Sequence, residues 1–217
     1  YRPLAEAYDA QLLDLNADDV VSVPVYDRRL RPMTVHVAHT VVEADYRISV
    51  GPPKTHDCVV VTLTIKNMVM GSLVNPRAVQ QGGGTPGLAR RVGHLMPERV
   101  RRSPLAEWAK GALLSGPRGS SKMAMHQGYP AMNLNLALVA PHVWPHLAVI
   151  DGWRAMEGSG PNHGDAVDWR LALASTDALA ADTLTAHLMG FDPAQIGYLA
   201  HCRRMGLGQG DVECIDV

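Results

Sequence analysis

Long apolar runs are missing from this 217-residue sequence. No stretch approaches the roughly 20 residues that a helix needs to cross a bilayer, and the first residues, Tyr1-Arg2-Pro3-Leu4, show no secretory-signal pattern. The expectation is a soluble, cytoplasmic protein with no membrane partner. An excess of either charge is missing too. The 20 Lys and Arg balance 21 Asp and Glu, for a formal net charge of −1. A whole-molecule field that would gather nucleic acid is therefore absent, and any anion binding has to be local. Cysteine is scarce: Cys58, Cys202 and Cys214 stand far apart and form no C-x-x-C pair. That excludes a zinc ribbon and a self-contained iron–sulfur motif and fits reduced thiols. An initiator Met is also absent, so the N-terminal edge is read as that of a fragment or a processed product.

Several familiar signatures do not occur. No G-x-G-x-x-G follows a strand in the right register, and there is no Walker A loop, no G-x-S-x-G elbow and no H-E-x-x-H or H-x-H. The glycines of Gly206-Leu207-Gly208-Gln209-Gly210 follow a helical stretch and read as a helix stop and turn. No internal repeat is visible.

What is present has the balance of an ordinary globular domain, with 47% hydrophobic and 19% charged residues. The periodicities predict a helix over 3–14, strands at 20–25 and 34–37 around the charged turn Asp27-Arg28-Arg29, and a strand at 46–50 stopped by Gly51-Pro52-Pro53. Residues 57–70 suit a strand by their β-branched content and a helix by the stripe Val59, Thr62, Lys66 and Val69; the helix is preferred, ending at Gly71. Residues 77–121 differ in composition, with Gly82-Gly83-Gly84, then Arg90, Arg91, Arg99, Arg101 and Arg102, and a short helix at 104–114. They read as an insertion or lid whose arginines form a solvated face or, less simply, cover a polyanion. A helix at 132–143, a buried strand at 147–150, a strand at 169–174, helices at 176–189 and 193–205 and a closing strand at 212–217 complete the pattern. Strands separated by helices imply crossovers, hence a single α/β domain with a largely parallel sheet flanked by helices.

In such sheets ligands sit where loops leave the carboxyl ends of strands. Two segments qualify. Pro53-Lys54-Thr55-His56-Asp57 supplies a cation, a hydroxyl and an imidazole in one turn, suited to a phosphate, a carboxylate or proton transfer. Residues 151–161 read as a loop that combines Asp151 and Glu157 with Gly152, Gly158 and Gly160, a composition that lets backbone N–H groups approach a ligand. Lys66, Asn67, Lys122 and His126 add further polar groups, although each alone also suits a solvated surface. Asp177 reads as a helix-dipole partner and Asp182 as a packing or capping carboxylate. The expected site therefore joins Lys54, His56, Asp151 and Glu157 as catalytic groups to Thr55, Lys66, Asn67, Lys122, His126, Gly158 and Gly160 as ligand-binding ones. His56, His126 and Asp151 form a set that a divalent metal would accept if the fold brought them together.

Taken in order, P-K-T-H at 53–56, L-T-I-K-N at 63–67, K-x-x-x-H at 122–126, V-I-D-G with M-E-G-S-G-P at 149–161, A-S-T-D at 174–177, A-A-D at 180–182, L-M-G-F-D-P at 188–193 and G-L-G at 206–208 resemble the family called domain of unknown function 362. The resemblance runs from about residue 40 to the end. It implies no established activity, but many relatives look like companions of iron–sulfur chemistry, so a redox or iron–sulfur protein is the implied partner beside a small-molecule ligand. Relatives also begin with a strand bearing a K-P-N motif that this sequence lacks, and their connection at 77–121 is shorter. The resemblance thus leaves open whether part of the family domain lies outside this chain. Two functions follow: an enzyme acting on a small anionic ligand, with or without a metal, or a non-catalytic module that presents a metal or cofactor to a redox partner.

Overall fold

The computed structural model of the chain describes residues 2–75 and 121–217. The expected insertion, with its helix at 104–114 and its arginines, lies outside the described residues, apart from Ser121. No helix among the described residues is long and apolar enough to cross a membrane.

Strands β1 (Val20–Tyr26) and β2 (Pro32–Ala38) form an antiparallel hairpin. Its turn is held by the Asp27 carboxylate, which accepts from the backbone N–H groups of Arg29 and Arg31. Val23, Val25, Val35 and Val37 are buried, as strand alternation requires of one face. Strand β3 (Ile48–Gly51) runs parallel to β6 (Leu147–Gly152), which pairs antiparallel with β9 (Leu171–Ser175). Past Pro52 and Pro53 the chain resumes as β4 (Lys54–His56), antiparallel to β5 (Val60–Thr62) and parallel to β7 (Ala155–Ser159), whose far edge takes β8 (His163–Val167) antiparallel.

The largely parallel sheet expected from the sequence is corrected here. Among the described residues two strand pairings are parallel, β3 with β6 and β4 with β7, and four are antiparallel. One cause is the segment 151–161. It is not a loop: β6 continues through Asp151 to Gly152, and β7 then turns back as β8. Alternating hydrophobicity could not announce this hairpin, because Glu157, Gly158 and Ser159 are all exposed.

Helices cover one face of the β3–β6–β9 sheet. Ser49, Ala148 and Ile150 point inward and are buried, whereas Ile48 and Val50, on the opposite face, are 53% and 62% exposed. The inner face packs on α3 (Thr64–Ser72) and α6 (Ala178–Leu188), with α4 (Ser121–Ala124), α5 (Tyr129–Val139) and α7 (Gly197–Arg204) following in the chain. Two helices precede them, α1 (Arg2–Ala7) and α2 (His39–Glu43). Ile65 and Val69 of α3, Met132 and Leu136 of α5, Ile150 and Leu179 belong to one buried cluster.

Other boundaries move as well. The helix expected at 3–14 stops at Ala7 and buries nothing. Residues 57–70 are both things the sequence suggested, a short strand and then a helix, and Gly71 lies inside α3 rather than ending it. The helix expected at 193–205 is split into a 3-10 turn, Pro193–Gln195, and α7. No strand forms at 212–217. Asp211 instead caps a 3-10 turn, Val212–Cys214, through the Glu213 N–H.

Candidate functional site

Helix α3 begins without a local side-chain cap. The missing acceptor comes from α6: Asp182, fully buried, takes the N–H of Thr64 at 2.9 Å, the hydroxyl of Thr64 at 2.6 Å and the N–H of Ile65 at 3.0 Å. Burial pushes this carboxyl up to about 7, against the three hydrogen bonds that hold it down. The Ser49 hydroxyl, from β3, donates to the Thr64 carbonyl at 2.8 Å. Gly51 ends that strand under Asn67, where a Cβ would come within 2.6 Å of the Asn67 amide nitrogen. These contacts fix the first turn of α3, and therefore Lys66 and Asn67, over the point where β3 passes into β4.

Alternation along β4 puts Lys54 and His56 on one face and Thr55 on the other. A three-residue turn, 57–59, then leads into β5, with Val60 at φ +71°. His56 is 9% exposed and Lys66 is 6% exposed. Burial, reinforced by the Lys66 ammonium, lowers the His56 imidazole to about 4. Burial, reinforced by Lys54, lowers Lys66 to about 8. His126 is also close enough to act on His56 in the same direction. Among the described residues no carboxylate lies within ion-pair distance of Lys66.

The Cys58 N–H donates to His56 Nδ1 at 3.0 Å. Nδ1 therefore carries no proton, and the neutral ring holds its hydrogen on Nε2. An oxygen of Asp57 lies 3.0 Å from the same Nδ1. That contact has the distance of an ion pair, but with the imidazole neutral it brings together two acceptors.

The structure thus assembles Lys54, His56, Lys66 and His126, with Asn67 alongside. Lys122 is exposed, and its carbonyl oxygen meets His126 Nδ1 at 2.8 Å. Asp151 does not join them: it is exposed and follows the inward-facing Ile150, so it sits on the sheet face turned away from α3. Glu157 is next to Met156, which is in register with Lys54, so it shares the face of Thr55 and stands opposite Asp165. Gly158 and Gly160 serve the approach of β7 to β4. The Gly158 carbonyl accepts from the Thr55 hydroxyl at 3.0 Å, and any side chain at Gly160 would run into the Thr55 backbone.

Asp57 and Cys58 went unassigned in the sequence. One imidazole nitrogen, one carboxylate oxygen and the thiol sulfur of His56, Asp57 and Cys58 lie within 4.8 Å of one another, and this is the group of metal-capable side chains found among the described residues. Three different donor types in succession, H-D-C, were the available signal.

The profile of the family described as domain of unknown function, DUF362, matches residues 1–187. A thylakoid-associated protein of Synechocystis sp. is 39% identical over 72 residues, covering 33% of this chain and 22% of that protein. The similarity thus spans about a fifth of the relative's length, and its thylakoid association is a statement about that protein. No solved structure matches the chain.

Proposed function

The chain belongs to the domain of unknown function 362 family, and from the β4–β5 hairpin we propose that it is an enzyme binding a small substrate with a phosphate or carboxylate group. Lys54 and Lys66 hold the anion. His56 presents its Nε2–H to an oxygen of the substrate on which negative charge develops. A neutral imidazole is suited to that role because it donates a hydrogen bond without having to be ionised.

The observation that carries this reading is Lys66, an ammonium that is 6% exposed and has no carboxylate at ion-pair distance among the described residues. A buried cation with no carboxylate at ion-pair distance among the described residues, only the weaker pull of Asp57 and Cys58, destabilises a fold, so its presence fits a partner that arrives with the ligand. Lys54 on the same side supplies a second cation, and two cations around one anion also account for a field that the chain's net charge does not provide. The reading is tested by phosphorus NMR of inorganic phosphate added to the purified protein. Line broadening is expected with the parent and should be lost in Lys54→Ala; equal broadening for both would remove Lys54 from the site.

A further inference from the structure

We propose that His56, Asp57 and Cys58 form a binding site for one divalent transition ion of zinc-like preference, seated on the β4–β5 turn beside Lys54 and Lys66. Two hydrogen-bond acceptors face each other at this turn. His56 Nδ1 takes the Cys58 N–H and has no proton of its own, yet an Asp57 oxygen stands 3.0 Å away. Two lone pairs at that separation repel, and a cation that takes the single Nδ1 lone pair over from the Cys58 N–H turns the repulsion into coordination. The third donor is already at hand, since all three ligand atoms fall within 4.8 Å of one another.

The donor set selects the metal. An imidazole, a carboxylate and a thiolate suit a borderline ion such as zinc, whereas calcium and magnesium require oxygen donors throughout. Three protein ligands with a fourth position open is also the pattern of zinc sites that take part in chemistry rather than in folding. Binding releases the Cys58 thiol proton to solvent and places thiolate and carboxylate charges against the two charges of the ion. The loaded turn is then neutral, so Lys54 and Lys66 keep their full attraction for an anionic ligand, which can reach the open metal position.

This inference deepens the proposed function but does not need it, because the metal and the anion are held by different side chains. The test is titration of the metal-free full chain with cobalt(II), read by absorbance. One equivalent should bind and give a thiolate-to-cobalt charge-transfer band that zinc abolishes. Cys58→Ser should lose the band, while Cys214→Ser should retain it. Asp57→Asn, at a position whose side chain is 73% exposed and therefore outside the packed core, should weaken binding at least tenfold. Lys66→Met should bind cobalt as well as the parent or better while losing phosphate. Absence of the band in the parent, or its survival in Cys58→Ser, overturns the site; loss of phosphate binding alone would leave it standing.

Discussion

Lys66 and Asp182 are two ionisable side chains buried for opposite reasons, and their substitutions should respond in opposite ways. Lys66 has no carboxylate partner among the described residues, so Lys66→Met should stabilise the unliganded protein, by about 1–4 kcal/mol if it behaves like other buried charges replaced by apolar groups. Urea unfolding checks this. Asp182 accepts three hydrogen bonds, and Asp182→Ala leaves two N–H groups and a hydroxyl unpaired in the core, at a cost of about 3 kcal/mol or more. Its pH dependence has a definite sign. The carboxyl is raised to about 7 in the fold from 3.8, so between those values the native state binds more protons than the unfolded chain. Its stabilising contribution is whole below about pH 4 and is lost as pH rises through 7. Unfolding free energies measured between pH 4 and 7 should fall more steeply for the parent than for Asp182→Asn. Lys54, His56 and Lys66 were legible in the sequence as candidates because they cluster in short polar motifs. Asp151 and Glu157 looked equivalent to them, since a sequence does not show which face of a strand a carboxylate occupies.

Among the elements, the helices of the C-terminal half were the most legible, and their punctuation explains why. Asp177 caps α6 by accepting from Ala180 N–H. Gly190 at φ +85° follows the end of α6, with the Phe191 N–H bonded to the Ala186 carbonyl, and Gly206 at φ +71° follows α7, with the Leu207 N–H bonded to the Cys202 carbonyl. The motifs A-S-T-D and, beyond the residues 1–187 that the family profile matches, L-M-G-F-D-P and G-L-G are thus in large part helix caps and stops, and A-A-D contributes the carboxylate that caps α3 from a distance. The β7–β8 hairpin was illegible because it is exposed on most positions and rich in glycine. It also carries a local conflict: Glu157 and Asp165 stand directly opposite each other, and like charges in that position are unfavourable. Glu157→Lys should therefore stabilise the protein by about 0.2–1 kcal/mol, measurable as a rise in melting temperature that shrinks with added salt.

At the scale of the whole molecule, α3 and α6 lie on one face of the β3–β6–β9 sheet, and the candidate site sits where β3 bends into β4 beneath the first turn of α3. Nothing in the bulk composition points to a ligand; in this near-neutral chain Lys66 is brought near Lys54 and His56 because Asp182, Ser49 and Gly51 fix that helix turn over the hairpin. On the proposed function, the buried Lys66 meets its counter-charge in a bound anion. The most direct test is thermal unfolding of the parent and of Lys66→Met over a series of inorganic phosphate concentrations, with chloride at matched ionic strength as control. Phosphate is expected to stabilise the parent progressively, by about 2.7 kcal/mol at a hundred times its dissociation constant, and to leave the variant unmoved. Equal stabilisation of the two proteins, or none of the parent, would contradict it.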